Sequence, residues 1–199
     1  MKVVGLLFFG SLFLAASCGL GPDLSKDRVP RSPTPTPFVP EKPIEEYMRD
    51  GAAAYAARDY HAALPPYKRA LEIEQRSPKL DKKQWYELVE NLAMSYGLTG
   101  DSKSARVVLA YGLSKEYNYP MFQYILARTH GQEGDESTSL LHLRRAFEYR
   151  ANMIEGETLP DPLTDSSFES FADSETFKKA VAEMKKSKPR PREKTAASR

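Results

Sequence analysis

Cysteine is almost missing from this 199-residue chain: Cys18 is the only one. No internal disulfide can therefore staple the fold, and packing must hold it. Net charge is nearly missing too, with 29 basic against 27 acidic residues. That balance removes the global electrostatic argument for nucleic-acid binding. Histidine is scarce. His61, His130 and His142 have no Cys or second His at ligand spacing, and H-E-x-x-H does not occur. The glycines form neither G-x-G-x-x-G nor G-x-x-x-x-G-K-[ST], so no phosphate cradle is suggested, and G-x-S-x-G is absent as well. Carboxylates such as Glu87 and Glu90 sit among lysines and arginines, the pattern of a solvated helix face. These absences predict a protein with no catalytic residue, no metal and no cofactor. The one tryptophan, Trp85, is expected to pack at the start of a helical repeat.

Long apolar runs are confined to the amino terminus. Lys2 gives a minimal positive region, "VVGLLFFGSLFL" (3–14) is uncharged and too short for a comfortable transmembrane span, and Ala15, Ala16 and Ser17 are small. This is the layout of a secretory signal over residues 1–17. Cys18 directly after the small residues resembles the bacterial lipobox, whose Cys becomes the first residue of the mature protein and carries diacylglycerol and usually an amide-linked acyl chain such as palmitate. The usual Leu three places before the Cys is Ala15 here, with Leu14 one step earlier. The resemblance implies lipidation at Cys18 and a place at the cell envelope. That place is the outer membrane or the outer face of the inner membrane, facing periplasm or exterior. Two acyl chains would anchor stably, since each buried methylene contributes about 0.8 kcal/mol. Ordinary cleavage near Ala15–Ser17, leaving Cys18 a free thiol, is the alternative. Residue 19 is Gly, not Asp, so nothing resembles the inner-membrane retention signal of enteric bacteria.

Residues 18–43 read as a spacer. "VPRSPTPTPFVPEKP" (29–43) is too rich in proline for helix or central strand, and an extended polyproline-like tether is expected. A proline-rich recognition peptide is the competing reading. The other end is basic: "KKSKPRPREKTAASR" (185–199) carries seven positive charges and one negative and reads as a solvated tail, or as one that touches an anionic polymer or membrane.

Between these ends apolar residues recur at three- and four-residue steps, the helical period. Three stretches repeat: "GAAAYAARDYHAALPPYKRAL" (51–71), "AMSYGLTGDSKSARVVLAYGL" (93–113) and "ARTHGQEGDESTSLLHLRRAF" (127–147). Each opens on a small residue (Gly51, Ala93, Ala127), has a second twelve later (Ala63, Ala105, Ser139) and a third seven further on (Ala70, Gly112, Ala146). The spacing from Ala105 to Ser139 is 34. From Ala63 to Ala105 it is 42, an eight-residue insertion that fits the polar "SPKLDKKQ" (77–84). Pro65 and Pro66 are expected to move the start of the second helix to near Leu64. After Arg150 the pattern changes. Asp165 and Ser174 read as N-caps of two further helices, with Met153, Ile154, Leu159, Phe168, Phe171 and Phe177 covering the open end of the stack.

The period and the small-residue spacing resemble the tetratricopeptide repeat family, whose unit is a helix–turn–helix of 34 residues. The resemblance implies an all-α fold: a short α-solenoid of about three such repeats over 44–150, and a helical capping segment over 151–184. It also implies a protein or peptide partner in a groove lined by the first helices. By helix phase those residues are Met48, Ala52 and Tyr55, then Glu87, Glu90 and Met94, then Met121, Tyr124 and Arg128. The expected function is non-enzymatic: protein–protein interaction as a scaffold or assembly factor at the envelope. The alternative is a cell-wall-associated accessory protein that recruits or regulates an envelope enzyme. Three repeats are near the minimum for independent stability, so weak self-association through a solenoid end is compatible with the pattern.

Overall fold

Six helices pair into three antiparallel hairpins: α1 (Ile44–Ala56) with α2 (Tyr60–Arg76), α3 (Lys82–Leu98) with α4 (Ser102–Lys115), and α5 (Pro120–Gln132) with α6 (Glu136–Glu148). A 3-10 turn (Arg150–Asn152), a 3-10 helix (Ser166–Phe171) and α7 (Glu175–Lys186) follow. The structure, a computed structural model, describes residues 42–191, all helical or loop with no strand among them. The segment read as a leader (1–17), Cys18, most of the stretch read as a spacer and residues 192–199 lie outside the described residues.

One turn chemistry builds all three hairpins. In each, the residue before an Asp adopts positive φ: Arg58 (60°), Gly100 (85°) and Gly134 (77°). The amide of the following Asp then reaches back to close the helix end, Asp59 to Ala54, Asp101 to Tyr96 and Asp135 to His130. The same Asp caps the next helix, its carboxylate accepting from the amide of Ala62, Ser104 or Thr138 at 3.0 Å. Only the first hairpin places a side chain at the left-handed position. Arg58→Gly should therefore raise stability by about 0.5–1 kcal/mol, after the extra unfolded-state entropy of Gly is subtracted; urea unfolding against wild type checks it.

All nine small landmark residues are buried, and they mark where helices cross. A Cβ on Gly51 would lie 2.8 Å from the Tyr67 ring, and one on Gly112 2.8 Å from Phe122 and 2.9 Å from Val89. Ser139, where an Ala was the regular choice, sends its hydroxyl to the Ala127 carbonyl at 2.8 Å, so the buried oxygen is satisfied.

Two expectations are corrected. The helix after the first turn begins at Tyr60, not near Leu64, and runs straight through Pro65 and Pro66. The Asp59 cap fixes the start. The carbonyls that the prolines cannot bond, those of His61 and Ala62, belong to exposed residues that water reaches. The eight-residue insertion is also not confined to 77–84. α2 has 17 residues against 14 in α4, α3 has 17 against 13 in α5, and the connection 77–81 is one residue longer than 116–119. The added length is helix because both new ends are held. Glu74, 5% exposed, accepts the amides of Lys79 (2.8 Å) and Leu80 (3.1 Å). Asp81 and Gln84 form a reciprocal capping box.

The first helices pack on one another, α1 on α3 and α3 on α5, with no comparable contact between successive second helices. The stack therefore bends with α1, α3 and α5 inside. α5 is central. Phe122, Ile125 and Leu126 join the core of the first two hairpins, while Tyr124 and Ala127 join a second core with α6, Phe168, Phe171, Phe177 and α7. Asp165 and Ser174 cap the last two helices as expected, accepting from the amides of Ser167 (3.0 Å) and Phe177 (3.2 Å). The three Phe and Leu159 cover the end of the stack, but Ile154 does not: it packs on the first core.

Past α7 the chain is held through its start as far as Arg190. The Arg190 amide bonds the Glu148 carbonyl at 2.8 Å, its guanidinium lies 3.1 Å from the Glu148 carboxylate and 5.3 Å over the Tyr149 ring, and Arg150 bonds the Ser187 carbonyl. The basic segment thus begins docked on α6, unlike the solvated tail expected from residue 185.

Candidate functional site: the inner face of the helix stack

The nine residues assigned to the groove fall into two groups. Met48, Ala52 and Tyr55 on α1 and Met94 on α3 are half-buried, and Glu87 is exposed. Met48, Tyr55 and Met94 rest on the first core with part of each side chain toward solvent. The Tyr55 ring meets Tyr60 edge-on at 5.4 Å, and burial pushes its hydroxyl up. Beneath them Tyr67, fully buried, accepts a hydrogen bond from the Asn91 amide at 3.0 Å, and its hydroxyl is pushed up to about 12 by burial.

The residues of the second group are engaged by the chain itself. Tyr124 is 1% exposed and donates to Asp165 at 3.0 Å, which leaves it no surface for a partner. Arg128 sits among three groups: Nε lies 3.0 Å from Ser167 Oγ and 3.2 Å from Asp165, and Nη1 lies 3.1 Å from Met94 Sδ. Met121 is wedged between the two cores. Glu90 points inward and hydrogen-bonds with Tyr119, whose ring stacks on Tyr86 at 3.7 Å. The same hydroxyl donates to Glu157, with Oε2 at 3.3 Å. Burial pushes the Glu90 carboxyl up to about 7. The Tyr119 hydrogen bond opposes this in part, and the neighbouring Glu157 and Glu87 charges add to it.

The segment that makes these contacts is 153–167. Nothing in its sequence announces that it lies along the inner face, because its partners are 37 to 67 positions away and follow no period. At its start Asn152 donates to the Asn118 carbonyl at 3.1 Å, yet its own Oδ1 is buried without a partner. An orphaned amide oxygen of that kind costs about 1–3 kcal/mol.

Two histidines that the sequence separates by twelve positions also meet. The His130 and His142 rings stack 5.5 Å apart and 9° from parallel across the α5–α6 hairpin. His142 Nδ1 lies 2.8 Å from Gln123 Oε1. Burial first, then His130 and Arg145, push its imidazole down to about 4. His130 Nδ1 faces Glu133 and Asp135 at 3.7 and 3.8 Å.

At the end of the stack away from the hairpin turns, Pro78, Leu80, Trp85, Tyr111 and Lys115 line an open cleft of about 620 Å³. Trp85 packs there on Tyr111 and Phe122, as expected of the start of the second repeat. Among the described residues no three His, Cys, Asp or Glu side chains converge as a metal site, and no helix is long and apolar enough to cross a membrane. No family model, curated protein or solved structure matches the chain.

Proposed function

We propose that this protein is a lipid-anchored, non-enzymatic interaction module of the bacterial cell envelope, related in design to tetratricopeptide repeat proteins, that docks a protein segment on its inner face. The observation that carries the reading is the half-open strip Met48, Ala52, Tyr55 and Met94 with Glu87 at its rim. Thioethers adapt to varied apolar partners, a phenol gives rigid contact area, and an exposed carboxylate fixes register. The sequence adds the anchor at Cys18 and a proline-rich spacer that would hold this face off the bilayer.

The test has two arms. Expressed in a bacterial host, the mature protein should begin at Cys18 with added acyl mass, and Cys18→Ser should move it to the soluble fraction. A photo-crosslinker at Ala52 should give a discrete protein adduct in intact envelopes. That adduct should disappear with Tyr55→Ala and Glu87→Lys, while a crosslinker at Arg144, on the outer side of α6, gives none. A free thiol at Cys18 removes the anchor; equal adducts at Ala52 and Arg144 remove the docking face.

A further inference from the structure

The inner face is already partly filled by the chain that builds it. Met153 is buried, Ile154 packs on the first core, Leu159 on the second, and Glu157 reaches the Tyr119 hydroxyl. This short stretch has no helix of its own and turns at Gly156, φ 87°. Its two ends are held differently. Toward the cap, Asp165 is bonded to Tyr124 and paired with Arg128. Toward α6, the hold includes Glu157, which shares the Tyr119 hydroxyl with Glu90.

One phenolic proton cannot satisfy two carboxylates. With one more proton on the pair, one carboxyl donates and the hydroxyl and the second carboxylate accept, so the three groups close a hydrogen-bonded chain. With that proton gone, two negative charges confront each other at the Tyr119 hydroxyl, the half-buried Glu90 and the exposed Glu157. The other ionisable groups facing Glu90 offer no relief. Glu87, on the same helix, is a third carboxylate; Tyr55, on α1, is a phenol; and the Arg128 cation, on α5, is already paired with Asp165. Asn152 Oδ1, orphaned where the stretch begins, also weighs against the closed arrangement.

We propose that residues 153–160 are a strap across the inner face, latched by a proton held between Glu90 and Glu157 at the Tyr119 hydroxyl, and that loss of this proton frees the strap and uncovers the docking face. The uncovered surface includes Tyr119, Met121 and the part of the first core now under Ile154, so it extends the open strip on α1 and α3. The neutral shift of the Glu90 carboxyl puts the transition between mildly acidic and mildly alkaline pH.

The proposal rests on the docking reading of this face, but its test needs no partner. Hydrogen exchange of the full chain, corrected for the intrinsic pH dependence, reports opening at the Glu157 amide, which bonds the Ile154 carbonyl at 3.0 Å. Its protection should fall at least tenfold from pH 5.5 to pH 8, while amides of α3 keep theirs. Glu90→Gln and Glu157→Gln should each hold protection at the acidic value throughout. Protection that is constant with pH in the wild type, or a decline in Glu90→Gln equal to that of the wild type, overturns the latch. So does a parallel loss in α3, which would be global loosening. A strap that does not open leaves the docking reading standing. A strap that opens beside a failed crosslinking test leaves the latch without that partner surface.

Discussion

Gly131→Ala should cost about 3 kcal/mol and detach the cap, although it adds one methyl group to a helix. Gly131 is buried in the last turn of α5 where the 3-10 helix crosses. A Cβ there would collide with the backbone carbonyl of Ser167 and stand 2.7 Å from Phe168 Cδ1. A backbone oxygen cannot rotate away as a side-chain end can. The Ser167 segment must therefore lift, and it carries the Arg128–Ser167 and Arg128–Asp165 contacts with it. The upper end of the usual overpacking range, 1–3 kcal/mol, is the appropriate figure. Urea unfolding gives the total, and exchange at α7 amides should rise before that at α3. Gly97→Ala is the internal control. Its Cβ would meet nothing nearer than Gln132 Oε1 at 3.8 Å, and helix propensity then favours Ala by up to about 1 kcal/mol. A Gly131 variant as stable as wild type would mean that the cap does not bear on α5.

That contrast shows which parts of the fold were legible in the sequence. Local rules carried the hairpins: the Asp after each turn, the small residues at crossings, and the caps at Asp165 and Ser174 lie within one or two turns of what they control. The proline pair misled because its local cost was weighed without Asp59, whose match to Asp101 and Asp135 was visible and fixed the helix start. The insertion was placed wholly in the polar stretch 77–84, whereas Asp81, Gln84 and Glu74 hold helix ends there and the added length is spread over α2 and α3. The site was less legible. Helix phase put Met48, Ala52, Tyr55 and Met94 on one half-open strip. It could not reveal that Tyr124 and Arg128 are taken by Asp165 and Ser167, or that Glu90 meets Glu157 sixty-seven positions on. Those encounters depend on where a non-periodic segment comes to rest.

The Glu90 carboxyl and the His142 imidazole should give the stability curve of this protein two opposed arms that single substitutions separate. Glu90 has its folded-state value raised to about 7, so its contribution is complete below about pH 4.5 and is lost as pH rises through 7. His142 has its value lowered to about 4, so its contribution is present above about pH 6.5 and is lost as pH falls through 4. The Glu90 arm is worth about 3 kcal/mol. His142 has a similar shift in the other direction, but its ring is only half-buried, and solvent screening brings its arm to about 1.5 kcal/mol. From pH 4.5 to 6.5 the two partly cancel, and the wild type should lose only about 1–2 kcal/mol. Glu90→Gln removes the falling arm. It should become more stable from pH 4.5 to 6.5 and exceed wild type by about 3 kcal/mol at pH 8, with the difference vanishing near pH 4.5. His142→Gln keeps a hydrogen-bonding group toward Gln123 and removes the rising arm, so its stability should fall more steeply than that of wild type over the same range. Urea midpoints at pH 4.5, 6.5 and 8 for the three proteins decide it. Parallel curves would mean that neither group is held off its ordinary value. A Glu90→Gln curve that parts from wild type only above pH 7 would mean that the carboxyl ionises in the closed structure without cost, and the proton would then have no place in holding Glu157 against Tyr119.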